Sequence, residues 1–132
     1  MEITVLLDRD LDGEDKYFEA GMKETGWDRL LTISFKRFRD FAIPDNETDR
    51  EVWRFVQHQG FLLITNNRNR DDDTSLQATM ERENTPESLP IITISRKEDL
   101  KQSEYRQEVI TRLADIIIYL DDYRGAGRLF AP

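Results

Sequence analysis

Phe61-Leu62-Leu63-Ile64-Thr65 runs directly into Asn66-Asn67-Arg68-Asn69-Arg70-Asp71-Asp72-Asp73. Five uncharged residues, four of them large and apolar, give way to eight polar ones. A continuous apolar run, unlike an alternating one, is what a strand buried on both faces requires. The pattern predicts such a strand over 61–65, with a polar, potentially chelating loop leaving its carboxyl end. Ile3 to Leu7, ending at Asp8, reads the same way, and Leu30-Leu31-Thr32-Ile33-Ser34-Phe35 and Pro90-Ile91-Ile92-Thr93-Ile94-Ser95 read as two further strands.

Between these runs the period changes to that of a helix. Residues 12–25 place Tyr17, Phe18, Ala20, Gly21 and Met22 mostly on one face. Asp12, Glu14 and Asp15 suit the positive amino end, and Gly26 supplies a stop. Residues 36–46 mix charge, aromatics and a Pro, and read as a loop. Thr48-Asp49-Arg50-Glu51 has the capping-box form and opens a second helix carrying Val52, Trp53, Phe55 and Val56, with its end near Gln59-Gly60. A short helix is predicted over 74–83 and a long one over 103–123. In the long helix Val109, Ile110, Leu113, Ile116, Ile117 and Leu120 form a stripe wide enough that part of it is expected to face a second subunit.

Strands alternating with helices imply one α/β domain over 1–132: a mainly parallel, four- to five-stranded sheet between two helical layers, α/β/α. Such sheets place ligands beyond the carboxyl ends of their strands. Three polar clusters fall there: residues 8–12, the basic loop after the second strand, and residues 66–73.

Composition excludes several classes. The 132 residues hold 19 Lys and Arg against 27 Asp and Glu, one His and no Cys. There is therefore no disulfide, thiol nucleophile, thiolate metal site or two-His motif. The start MEITVLLDRD carries no basic leader pattern and no apolar run approaches a membrane span, so a soluble, cytoplasmic protein is expected. A net charge of −8 argues against coating nucleic acid by charge alone. The charge is uneven: residues 1–35 and 71–132 each sum to −5, and residues 36–70 to +2. The middle third thus offers Lys36, Arg37, Arg39, Arg50, Arg54, Arg68 and Arg70 either as solvated surface or as a patch for short or single-stranded RNA. No Ser sits in a Gly-x-Ser-x-Gly elbow. Asp-Arg-Asp-Leu-Asp-Gly stands where a dinucleotide fold needs its glycines, and Thr65-Asn66-Asn67 where a phospho-receiver needs Asp.

Hard dications such as Mg²⁺ and Mn²⁺ take oxygen ligands, and Asp8, Asp49 and the 67–73 loop could supply them. Each has a plainer reading beside it, since Asp at a helix start and Asp-rich turns are common for structural reasons. His58 reads as a surface or packing residue, and Trp27 and Trp53 as core or subunit-contact residues.

The ordered set resembles the small PIN-like nucleases related to VapC-type toxins. Leu7-Asp8 ends the first strand, Thr48-Asp49-Arg50-Glu51 opens a helix with an acid, and Gly60 precedes an apolar strand ending at Thr65. The resemblance spans roughly residues 3–94. It implies a Mg²⁺- or Mn²⁺-dependent endoribonuclease in which Asp8, Asp49, Asp71 and Asp73 are catalytic. Asp8, Asp49, Asn67, Asn69 and Asp71 would hold metal, and Arg37, Arg39, Arg68 and Arg70 would hold RNA phosphates. A homodimer, and an antitoxin-like protein partner, would accompany that role. One departure matters: Asn67 and Asn69 stand where the family carries Asp, which weakens attraction for a dication. Either Asp71 or Asp73 replaces the lost ligand, or the fold serves as a non-catalytic binding or oligomerisation module.

Overall fold

Five strands, β1 (Glu2–Leu7), β2 (Thr32–Lys36), β3 (Leu62–Thr65), β4 (Ile91–Thr93) and β5 (Arg128–Phe130), form one sheet in the order β2-β1-β3-β4-β5. Every neighbouring pair is parallel. This is a computed structural model, and it describes residues 2–66 and 75–132. The helices are α1 (Asp15–Thr25), α2 (Asp49–Gln59), α3 (Leu76–Glu83), α4 (Ser103–Ile118) and α5 (Leu120–Tyr123).

Side-chain alternation along the buried strands divides the core in two. Val5, Leu7, Leu62, Ile64 and Ile92 pack with Phe18 and Met22 of α1 and with Val109, Ile110 and Leu113 of α4. Leu6, Leu63 and Ile91 point the other way, onto Val52, Trp53 and Val56 of α2 and Leu76 and Met80 of α3. The continuous apolar runs of β3 and β4, and of the second half of β1, exist because these strands have a helical layer on both sides. The α4 stripe is consumed within the chain: Val109, Ile110, Leu113 and Ile116 are fully buried. Among the described residues the large apolar side chains left exposed are Leu30, Ile118, Tyr119 and Phe130. Trp53 is core, and Trp27 packs against the edge of the α1–α4 side. Among the described residues no helix is long and apolar enough to cross a membrane.

Several boundaries differ from the sequence reading, each for a local reason. The first helix begins at Asp15 and not Asp12, because Asp8 caps a separate 3-10 turn over Arg9–Leu11 and Gly13 at φ +87° breaks the path before α1. The loop over 36–46 contains a 3-10 turn, Phe38–Phe41, anchored by buried Phe38. The long last helix breaks at Tyr119. β5 escaped the sequence reading because it is three residues long and partly exposed, as edge strands tend to be. Its place is fixed by backbone bonds from Ile91 N–H to Gly127 O (2.7 Å) and from Ala131 N–H to Thr93 O (3.0 Å). Only half of the capping box forms: Thr48 Oγ1 accepts from Glu51 N–H at 3.3 Å, while Thr48 N–H donates to Glu47 Oε1 and Glu51 turns to Arg54.

Gly21 marks the closest approach of α1 to α4. A Cβ there would sit 2.7 Å from Ile110 Cγ1 and 3.3 Å from the Arg106 carbonyl oxygen. Alanine in a helix interior gains up to about 1 kcal/mol over glycine, but overpacking a rigid core costs about 1–3 kcal/mol. Gly21→Ala is therefore expected to destabilise by about 1 kcal/mol, and Gly21→Val by more. A shift of the urea midpoint to higher concentration in Gly21→Ala would contradict this packing.

Candidate functional site

In a sheet of this order the chain leaves in opposite directions from β1 and β3, which opens a crevice at their carboxyl ends. Asp8 sits there, the first residue after β1. Its backbone N–H donates to Ile64 O of β3 at 3.0 Å. Its Oδ1 accepts the Arg9 backbone N–H at 2.8 Å, and its Oδ2 accepts the Thr65 hydroxyl at 2.7 Å. The residue is only 3 % exposed. Burial pushes its carboxyl above the ordinary value. The Thr65 and Arg9 bonds pull it back down, and the charge of Asp49 raises it further.

Asp49 arrives from a distant part of the chain. As the first residue of α2 its backbone is set by the Thr48 cap, and its Oδ2 accepts the backbone N–H of Leu76, the first residue of α3, at 3.2 Å. One carboxylate thus ties the amino ends of α2 and α3 together over the crevice. Asn66 and Ser75, which flank residues 67–74, therefore lie beside Asp8 and Asp49 respectively.

Between the two acids lies Arg9. Its Nη2 is 3.7 Å from Asp49 Oδ1 and its Nε is 4.0 Å from Asp8 Oδ1. Nη2 also donates to the Glu47 backbone oxygen, and the guanidinium stands 5.7 Å from the Phe38 ring centroid. Nε is buried and makes no hydrogen bond among the described residues. On the β2 side a pocket of about 320 Å³ opens against Asp8, walled by Arg9, Asp12, Phe38, Arg39 and Asp45. Arg39 bridges to Asp12 at 2.7 Å across its exposed rim. Arg37 leads into the same turn, its backbone N–H held by Asp40 Oδ2 at 2.8 Å.

Of the residues singled out by sequence, Asp8 and Asp49 come together, and Arg37 and Arg39 lie on the adjoining turn. Asn67, Arg68, Asn69, Arg70, Asp71 and Asp73 lie outside the described residues. Exposed His58 lies away from Asp8, on a larger groove of about 640 Å³ with Phe41, Ile43 and Phe55. Among the described residues no three acids or histidines converge as a metal cage. Two carboxylates beside a crevice nevertheless suit Mg²⁺ or Mn²⁺, which are commonly held by one or two protein carboxylates, with substrate phosphates and water completing the shell. The donor set fits such an ion, and Arg9 already supplies positive charge at that point.

Sequence reasoning missed Arg9. The available signal was its place directly after the strand-end Asp8. Compared with known proteins, the chain matches no family model, no curated protein and no solved structure.

Proposed function

We propose that this chain is a Mg²⁺- or Mn²⁺-dependent ribonuclease of the PIN-like type with a weakened metal site. The observation that carries the reading is the meeting of Asp8 and Asp49, forty-one positions apart in sequence, on one guanidinium at the carboxyl edge between β1 and β3. It agrees with the ordered resemblance of Leu7-Asp8, Thr48-Asp49 and the strand ending at Thr65.

In this reading Asp8 and Asp49 hold the dication, with Asn67, Asn69, Asp71 and Asp73 contributing further oxygen ligands. The bound metal would polarise a phosphoryl oxygen and activate water for attack on the phosphodiester. Thr65 and the Arg9 N–H favour the ionised form of Asp8 against the burial that raises its pKa, and they hold the carboxylate in orientation. Arg37 and Arg39, with Arg68 and Arg70, hold the flanking phosphates of a short or single-stranded RNA, since the remainder of the chain is acidic. A homodimer in the cytoplasm, met by an antitoxin-like protein, completes the proposal.

A second reading, a non-catalytic module on the same fold, is favoured by one observation: the Arg9 guanidinium already offsets part of the negative charge that a metal would need. Titrating Mn²⁺ into wild type and Asp8→Asn by calorimetry, and assaying both on a mixed RNA pool with and without EDTA, separates the two. The nuclease predicts heat of binding and EDTA-sensitive cleavage, both lost in Asp8→Asn. No binding at millimolar Mn²⁺ and no cleavage would leave the non-catalytic module.

A further inference from the structure

We propose that Arg9 is the resident cation of this site, holding the space between Asp8 and Asp49 in the metal-free chain and yielding it when a dication binds. The inference rests on the metal-site reading above and adds a regulatory element to it: metal enters only by competing with a side chain of the same protein.

The geometry has three parts. First, groups other than the guanidinium anchor each carboxylate, the Arg9 backbone N–H itself holding Asp8 Oδ1 at 2.8 Å. Thr65 holds Asp8 Oδ2 and the Leu76 N–H holds Asp49 Oδ2, while both Oδ1 atoms face the guanidinium. Displacing Arg9 therefore leaves the acids in place.

Second, the two acids themselves hold the Arg9 guanidinium only loosely. Its two ionic contacts, at 3.7 and 4.0 Å, are both longer than a hydrogen bond. Its Nε is buried with no hydrogen-bond partner among the described residues, and its side-chain hydrogen bond goes to a backbone oxygen, Glu47 O. An Arg evolved as a permanent partner of a carboxylate would use its planar fork bidentately, as Arg54 does with Glu83 elsewhere in this chain, at 2.9 Å for each bond. Arg9 does not.

Third, the displaced side chain has a place to go. Arg9 is about one-third exposed and lines the 320 Å³ pocket whose walls include Asp12 and Asp45. A guanidinium swung outward meets Asp45 beside the Arg39–Asp12 pair, and removing a positive charge from between Asp8 and Asp49 raises the field that attracts a dication.

The test uses the whole chain. In wild type, the Arg9 Nε–Hε cross-peak in a ¹⁵N–¹H spectrum, assigned by its loss in Arg9→Lys, is followed through a Mg²⁺ titration. The expected result is a shift or loss of that peak as the guanidinium becomes solvated, while the Arg54 Nε–Hε peak stays unchanged. Calorimetry with Mn²⁺ then compares wild type with Arg9→Gln, for which at least tenfold tighter binding is expected. In thermal melts Arg9→Gln should unfold earlier than wild type in EDTA and recover with Mn²⁺, because the dication then supplies the positive charge that Arg9 gave.

An unmoved Arg9 peak at saturating Mg²⁺, or equal Mn²⁺ affinity in wild type and Arg9→Gln, overturns the displacement while leaving the metal site standing. Absence of Mn²⁺ binding in both proteins overturns the metal site itself. The wild-type titration decides the matter even where Arg9→Gln fails to fold.

Discussion

Replacing Phe18 by alanine is expected to remove about 3–5 kcal/mol of stability, out of a total of about 5–15 kcal/mol for a domain of this size. Phe18 is completely buried on the inner face of α1 and stacks on Phe35 of β2, with ring centroids 5.4 Å apart and planes inclined by 23°. It has no polar atom to satisfy, so its contribution is apolar burial plus the ring pair. α4 is packed tightly against α1, as the position of Gly21 shows, so the layer can collapse little to fill the space left. That places the cost toward the upper end and the fall in melting temperature on the order of 15 °C. Leu30→Ala is the matched comparison. Leu30 is 71 % exposed, and its truncation should change stability by about 0.5 kcal/mol or less. Urea unfolding of both variants measures the difference. A loss below about 1.5 kcal/mol in Phe18→Ala would mean that α1 does not cover the sheet as described.

The same contrast explains what could be read from sequence. The buried strands were legible because burial on both faces forces unbroken apolar runs, as in Leu62-Leu63-Ile64, which no loop tolerates. α2 was legible to within a residue at each end, because Thr48 caps it and Gly60 ends it at φ +74°. What escaped were features fixed by contacts distant in the chain. β5 exists because Gly127 O and Ala131 N–H meet the backbone of β4, and nothing in Arg128-Leu129-Phe130 alone announces a strand. The turn at Arg9–Leu11 exists because Asp8, held by β3, caps it. Asp8 and Asp49 were found as candidates by residue type and by position at a strand end and a helix start. The cation between them was not, since a side chain's partners depend on the path of a turn and not on periodicity.

Thr65 is where these threads meet, and Thr65→Val is expected to be costly out of proportion to its size. The two side chains nearly match in shape, but the hydroxyl is lost. Thr65 is fully buried, and its hydroxyl donates to Asp8 Oδ2 at 2.7 Å. A hydrogen bond to a buried charged group contributes about 1.5–3 kcal/mol, and a residue that orients a metal ligand typically changes metal affinity by about 10- to 100-fold. The pH dependence identifies the cause. Burial leads folded Asp8 to keep its proton to higher pH than the unfolded chain does. The folded state therefore binds more protons across that interval, and stability falls as pH rises through it and levels off above. The Thr65 bond lowers the Asp8 pKa, so removing it lifts the folded titration further and deepens the fall. In EDTA, the stability difference between wild type and Thr65→Val should therefore be small in acid, where Asp8 is protonated in both states. It should grow with rising pH and then become constant. A difference that stays the same from about pH 4 to about pH 8 would show that the hydroxyl supports packing alone. Growth with pH, together with weaker Mn²⁺ binding, would show that β3 holds the Asp8 charge at the edge of the crevice.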